Sequence, residues 1–137
     1  MVTNPNVSAY NETPPTEPQG RKIVGGPLYP LTDIQAVAIK SDSVVFWTTR
    51  CRRDAANLTL APSDVGELIQ KLRGVDYLDS EWCENGKGIW AACDAYQLVR
   101  DEPNDWTGKV YRTEYFLKFA LGRTGTLLLM VSCHLSS

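Results

Sequence analysis

Residues 111–137 read YRTEYFLKFALGRTGTLLLMVSCHLSS, two strand-like runs about a Gly-Arg-Thr-Gly turn, with the chain's single histidine, His134, near the end. The turn decides which side chains share a face, because a slip of one residue sends a whole strand's side chains to the other side. A two-residue turn at Arg123-Thr124 sets Glu114 opposite Cys133 and Thr113 opposite His134. A three-residue loop at 123–125, with Gly125 in the left-handed region, sets Glu114 opposite His134 instead. The three-residue register is preferred. It lines up Thr113, Tyr115, Leu117, Phe119 and Leu121 with Leu127, Leu129, Val131, Cys133 and Leu135 as one apolar face. The other face then collects Arg112, Glu114, Phe116, Lys118, Ser132 and His134.

The remaining chain bounds what that hairpin can belong to. At 137 residues it suffices for one domain with a real core. Its 22% charged and 43% hydrophobic residues are ordinary for a globular protein. No apolar run approaches a membrane span and no basic, then apolar leader opens the sequence, so a cytoplasmic protein is expected. The four cysteines, at 51, 83, 93 and 133, lack metal-ligand spacing and are expected to be reduced and buried. If Asn85-Gly86 is a two-residue turn, Cys83 pairs with Gly88 and Cys93 with Leu78. A net charge of −2 and a pI near 5.4 mean that any nucleic-acid role needs a local positive patch.

Residues 1–28, rich in Pro, Asn, Thr and Gly, predict a disordered tail, leaving 29–137 as the domain. Thr32 and Gln35 form a capping-box pattern ahead of Ile34, Val37 and Ala38, predicting a helix over about 32–40. SVVFW (43–47) predicts a short strand, with Thr48 or Thr49 capping a second helix. That helix carries Cys51, Ala55 and Leu58 on one side and Arg50, Arg53 and Asn57 on another. Asp64 with Glu67 suggests a further box, and Val65, Leu68, Ile69 and Leu72 recur at helical spacing until Gly74. Strands follow: VDYLDSEWC, an ENGK turn and GIWAACDAYQLVR. Helices first and antiparallel strands afterwards predict an α+β fold, with two to three helices on one face of the sheet.

The order and spacing of PLYPLTDIQ, CRRDAANLTL, DVGELIQKL, DYLDS, IWAACDAY, FLKFAL and LLMVSCH resemble the MqsR (motility quorum-sensing regulator) toxin family over residues 27–135. The resemblance implies a RelE-like fold and a ribonuclease toxin that cuts messenger RNA without a metal and is restrained by a cognate antitoxin. Its carry-over is partial. Asp79 stands where the family has a catalytic lysine, Ala91 or Cys93 where it has a glutamine, and Phe116 where it has a tyrosine. His134 matches the family's terminal basic position.

Metal-independent RNA cleavage needs a base at the 2′-hydroxyl, cations on the phosphate and an acid at the leaving oxygen. His134 can move the proton, with Glu114 to orient it or to act as the base. Lys118 and Arg112 can stabilise phosphate charge, joined by Arg100 if its strand is adjacent. Phe116, Tyr96 and Trp90 can stack bases of a single strand, and Arg50 and Arg53 offer a docking strip for RNA or an acidic antitoxin. Asp76, Asp79, Glu81 and Glu84 are read as solvated strand ends. No metal or other cofactor is called for. A solvated face with cross-strand ion pairs would show the same alternation, so a non-enzymatic protein-binding relative on this fold stays open beside the toxin.

Overall fold

A computed structural model of the chain describes residues 5–16 and 20–136. In chain order the elements are β1 (Lys22–Ile23), α1 (Leu31–Ala38), β2 (Val44–Phe46), α2 (Thr49–Asn57), α3 (Pro62–Gln70), a 3₁₀ turn (Gly74–Asp76), β3 (Tyr77–Glu84), β4 (Trp90–Pro103), β5 (Val110–Leu121) and β6 (Leu128–Leu135). The expected α+β class is present, with three helices and one six-stranded sheet ordered β1-β3-β4-β5-β6-β2. All neighbours are antiparallel except β2 and β6, which run parallel.

Helix boundaries follow capping chemistry. Thr48 caps α2 by accepting the Cys51 N–H at 3.0 Å. Asp64 is not the first residue of a box. It sits in the first turn of α3, takes the Ala61 N–H at 2.8 Å and follows Pro62, so the helix begins earlier than expected. The Thr32–Gln35 box does not form either, and α1 starts at Leu31 without a side-chain cap. Gln35 is used across the helix pair instead. Its amide donates to the Ile69 and Leu72 carbonyls while Gln70 donates back to the Gln35 carbonyl. Carbonyls of Ile69, Gln70 and Leu72, at the C-terminal end of α3 and just beyond it, are thereby met from α1. Gly66 permits that close approach, since a Cβ there would lie 2.8 Å from the Ala38 carbonyl oxygen.

Ile34 and Val37 of α1, Cys51 of α2, and Val65, Leu68 and Ile69 of α3 join Tyr96, Leu98, Leu117, Phe119 and Cys133 in one core. Along β4 and β5 the partners Tyr96–Leu117 and Leu98–Tyr115 belong to this helix-covered face. Gln97–Phe116, Ala95–Lys118 and Val99–Glu114 therefore belong to the other.

The closing hairpin corrects both expected registers. Gly122 pairs with Leu127, its N–H reaching the Leu127 carbonyl at 2.9 Å, so the loop holds four residues, 123–126, with Gly125 at φ 77°. A bulge then adds Val131, moving the pairing from Phe119–Met130 to Lys118–Ser132. The two extra residues restore the parity of the expected register but advance it by one pair. Phe116, not Glu114, lies opposite His134. Between loop and bulge the parity is reversed, so Leu128 and Met130 are the fully buried pair and Leu127 is 39% exposed.

The tail reading also needs correction. Residues 1–4 and 17–19 lie outside the described residues, but 5–10 run inside the fold where β4 and β5 part. Trp90 N–H donates to the Pro5 carbonyl, Val7 N–H to Trp90, Ala9 N–H to Leu121 and Arg123 N–H to Val7, all at 2.8–3.0 Å. Ser8 is 2% exposed and its hydroxyl accepts the Ala92 N–H. Composition hid this segment because its binding to the sheet is by backbone, which any residue type supplies. The folded body therefore starts well before residue 29.

Candidate functional site

A groove of about 370 Å³ between β3, β6 and the start of α2 is bounded by Arg21, Thr48, Arg50, Glu81, Cys83 and Ser132. β3 contributes Asp79, Glu81 and Cys83 by alternation, β4 contributes Ala91, Cys93 and Ala95, and β5 contributes Lys118. The three small residues on β4 are buried. The expected ENGK turn is longer than two residues: Asn85 N–H bonds the Ile89 carbonyl, and the Asn85 side chain accepts the Lys87 and Ile89 N–H groups. Cys83 consequently pairs with Ala91 and Cys93 with Glu81, which makes the two cysteines diagonal neighbours. All four cysteines are free and buried.

Lys118 reaches across β4 to a close ion pair with Glu81, the two side chains being 13% and 22% exposed. Lys22 continues the row, 2.5 Å from Asp79 and 3.5 Å from Glu81. Burial opposes the charge on Lys118, yet the Cys83 sulfur and Glu81 together hold its pKa above the ordinary lysine value. Glu81 is therefore a groove residue and not a solvated strand end. Its signal in the sequence was the alternation Asp79, Glu81, Cys83, which places three polar groups on one face. Glu81→Gln is expected to cost about 1–2 kcal/mol, because it removes the partner of a mostly buried ammonium. Removing the exposed partner in Arg112→Ala should change stability by no more than about 0.5 kcal/mol. Urea midpoints of the two variants give the comparison directly.

Further along the same face, His134 stacks on Phe116 with ring centroids 5.1 Å apart and planes at 21°. Lys118 Nζ lies over the Phe116 ring, 5.5 Å from its centroid. His134 Nδ1 lies 2.9 Å from the Leu135 carbonyl. Assigning the proton to Nδ1 lets it donate there and leaves Nε2 with a lone pair for chemistry. Glu114 is diagonal to His134 and is held by Arg112 at 3.2 Å. Five expected residues, His134, Glu114, Lys118, Arg112 and Phe116, therefore share one face, in a different pairing from the one expected.

The other expected residues are elsewhere. Tyr96 is 1% exposed and stacks on Phe119 under the helices, so it cannot hold a base. Trp90 packs with Trp82 and Ala92 in a second core cluster, its ring 4.8 Å from the Arg21 guanidinium. Arg100 is on a strand adjacent to β5 but on the helix side, paired with Glu102 at 3.6 Å, and Glu102 accepts the Tyr115 hydroxyl. Arg50 borders the groove while its Nε is 4.0 Å from Asp54, and Arg53 is exposed on α2 and does not border the groove. Ala91 and Cys93, the positions matched to a family glutamine, share the strand face of Glu81 but are fully buried, with no bulge between them and Asp94. Asp79, matched to a family lysine, is on that face too, neutralised by Lys22.

Among the described residues no three metal-ligating side chains converge, and no helix is long and apolar enough to cross a membrane. No family model, no curated protein and no solved structure matches the chain.

Proposed function

We propose that this protein is a metal-independent endoribonuclease toxin of the RelE-like, MqsR-related kind, cutting single-stranded messenger RNA and restrained by a cognate antitoxin protein. The observation that supports it is the row His134, Phe116, Lys118 on one sheet face, which joins a proton-transfer group, an aromatic platform and a half-buried cation. In the proposed reaction the 2′-oxygen attacks the adjacent phosphorus as the bond to the 5′-oxygen breaks. The products are a 2′,3′-cyclic phosphate and a 5′-hydroxyl. His134 Nε2 takes or returns the proton, and Lys118 faces the developing phosphate charge, supplying the ammonium missing at Asp79. Phe116 supports a neighbouring base, with Arg112 at the margin.

Cleavage of a labelled single-stranded RNA by the full chain in EDTA, leaving cyclic-phosphate and 5′-hydroxyl ends, is the expected result. Failure to cut any such RNA, together with no toxicity on expression, would overturn it. One observation favours the second reading, a non-enzymatic protein-binding relative. The face's cations are already matched, Lys118 by Glu81, Lys22 by Asp79 and Arg112 by Glu114. In that reading the charged face meets a protein partner, and His134→Ala leaves the affinity of the complex within about threefold.

A further inference from the structure

On the reading that RNA binds the His134 face, we propose that Glu81 is a built-in competitor of the RNA backbone, a carboxylate that occupies the Lys118 ammonium until a phosphate of the bound strand displaces it. Among the described residues Glu81 is the ion-pair partner of Lys118, and the two meet across β4 from β3 and β5. The same ammonium lies over the Phe116 ring, and Phe116 stacks on His134. A strand laid over His134 and Phe116 therefore brings its phosphate to the ammonium that Glu81 already holds. Carboxylate and phosphodiester are both anions that accept charge-assisted hydrogen bonds from an ammonium, so they compete for it.

The displaced carboxylate has a second cation within reach. Lys22 Nζ is 3.5 Å from Glu81, although it sits closer, at 2.5 Å, to Asp79. The Lys22 side chain is 66% exposed against 13% for Lys118, so the move carries Glu81 from a shielded ammonium to a solvated one. Two arrangements result. In one, Glu81 is on Lys118 and the site is closed. In the other, Glu81 leans on Lys22 and Lys118 holds phosphate. A free protein that keeps the closed arrangement about nine-tenths of the time binds RNA about 10-fold more weakly than the open arrangement would.

Titration of the full chain against a labelled single-stranded RNA with every 2′-hydroxyl methylated, which binds without being cut, tests this by fluorescence anisotropy over a series of potassium chloride concentrations. Glu81→Gln is expected to tighten binding about 10-fold. It should also steepen the slope of log Kd on log salt by about 0.7, the increment for one more phosphate contact on a single strand. In a Lys118→Gln background the same substitution should tighten binding by no more than about threefold, the screened effect of one fewer negative charge. Glu81→Asp, one methylene shorter, is expected to tighten binding in the same direction but by less, and serves if the amide variant does not fold. Unchanged or weaker binding in Glu81→Gln, equal tightening with and without Lys118, or no RNA binding by either protein overturns the proposal. Cleavage of an unmethylated RNA in EDTA is read separately, and tightening without cleavage overturns the ribonuclease reading alone while upholding the displacement of Glu81.

Discussion

Asp94→Ala is expected to destabilise the domain by about 3–5 kcal/mol, enough to leave a large unfolded fraction at ambient temperature. Asp94 has no exposed surface. Its two oxygens accept the Leu28 N–H at 3.0 Å, the Tyr29 N–H at 3.1 Å and the Ser80 hydroxyl at 2.6 Å. Ser80 is bonded in turn to the Tyr77 hydroxyl. Truncation strands two buried donors, the Tyr29 N–H and the Ser80 hydroxyl, each costing about 1–3 kcal/mol before the structure relaxes, and the part-buried Leu28 N–H. It also frees the segment that leads into α1 from the sheet. Asp94→Asn keeps one acceptor oxygen but sets an amide donor against backbone donors, so an intermediate loss of about 1–3 kcal/mol is expected.

The same residue makes a pH prediction. Burial raises the Asp94 pKa, and the donors from Leu28, Ser80 and Tyr29 only partly offset it. A carboxyl whose folded pKa lies above its unfolded one favours folding while protonated. That contribution is full below the ordinary carboxylate value and is lost as the pH rises through the raised one. The stability difference between wild type and Asp94→Asn should therefore shrink as pH climbs through that window, measured by urea denaturation across it. A difference that grows with pH would mean that the donors outweigh burial.

His134→Ala is expected to lower RNA cleavage by about 10²–10⁴-fold, the usual worth of a positioned proton-transfer group. Folding should change far less. The ring is only partly buried and its main contact is the Phe116 stack, so about 1 kcal/mol or less of stability is at stake. Separate measurement of cleavage rate and melting temperature distinguishes the two effects. Cleavage unchanged in a folded His134→Ala protein would remove the histidine from the mechanism and leave Glu81 or Glu114 as the base. Loss of cleavage in step with loss of structure would mark the residue as structural.

Much of the architecture was legible before any coordinates. Val65, Leu68, Ile69 and Leu72 announced α3 by their spacing, Thr48 announced the start of α2, and the strand-rich second half announced an antiparallel sheet. The grouping of Arg112, Glu114, Phe116 and Lys118 with Ser132 and His134 was legible too, because strand alternation is a local rule. Two compensating insertions, one in the loop and one at Val131, left that grouping intact.

Pairing and burial were not legible, since they depend on groups distant in sequence. The choice of Phe116 over Glu114 opposite His134 rests on the four-residue loop together with the bulge at Val131. Tyr96 and Trp90 look like free aromatic platforms until the helices and the second cluster cover them. Glu81 looks like a solvated acid until Lys118, 37 residues later, reaches it. The segment at 5–10 looks untethered until β4 and β5 diverge and expose backbone groups that it alone can satisfy.

Taken by itself, the sequence determined the fold class, the helices and the membership of the His134 face, because periodicity and capping act within a few residues. Only the tertiary structure decided which groups on that face touch, which aromatics are buried, and that the N-terminal segment belongs to the sheet. Those outcomes turn on register and on backbone hydrogen bonds between distant strands, for which side-chain identity carries almost no signal.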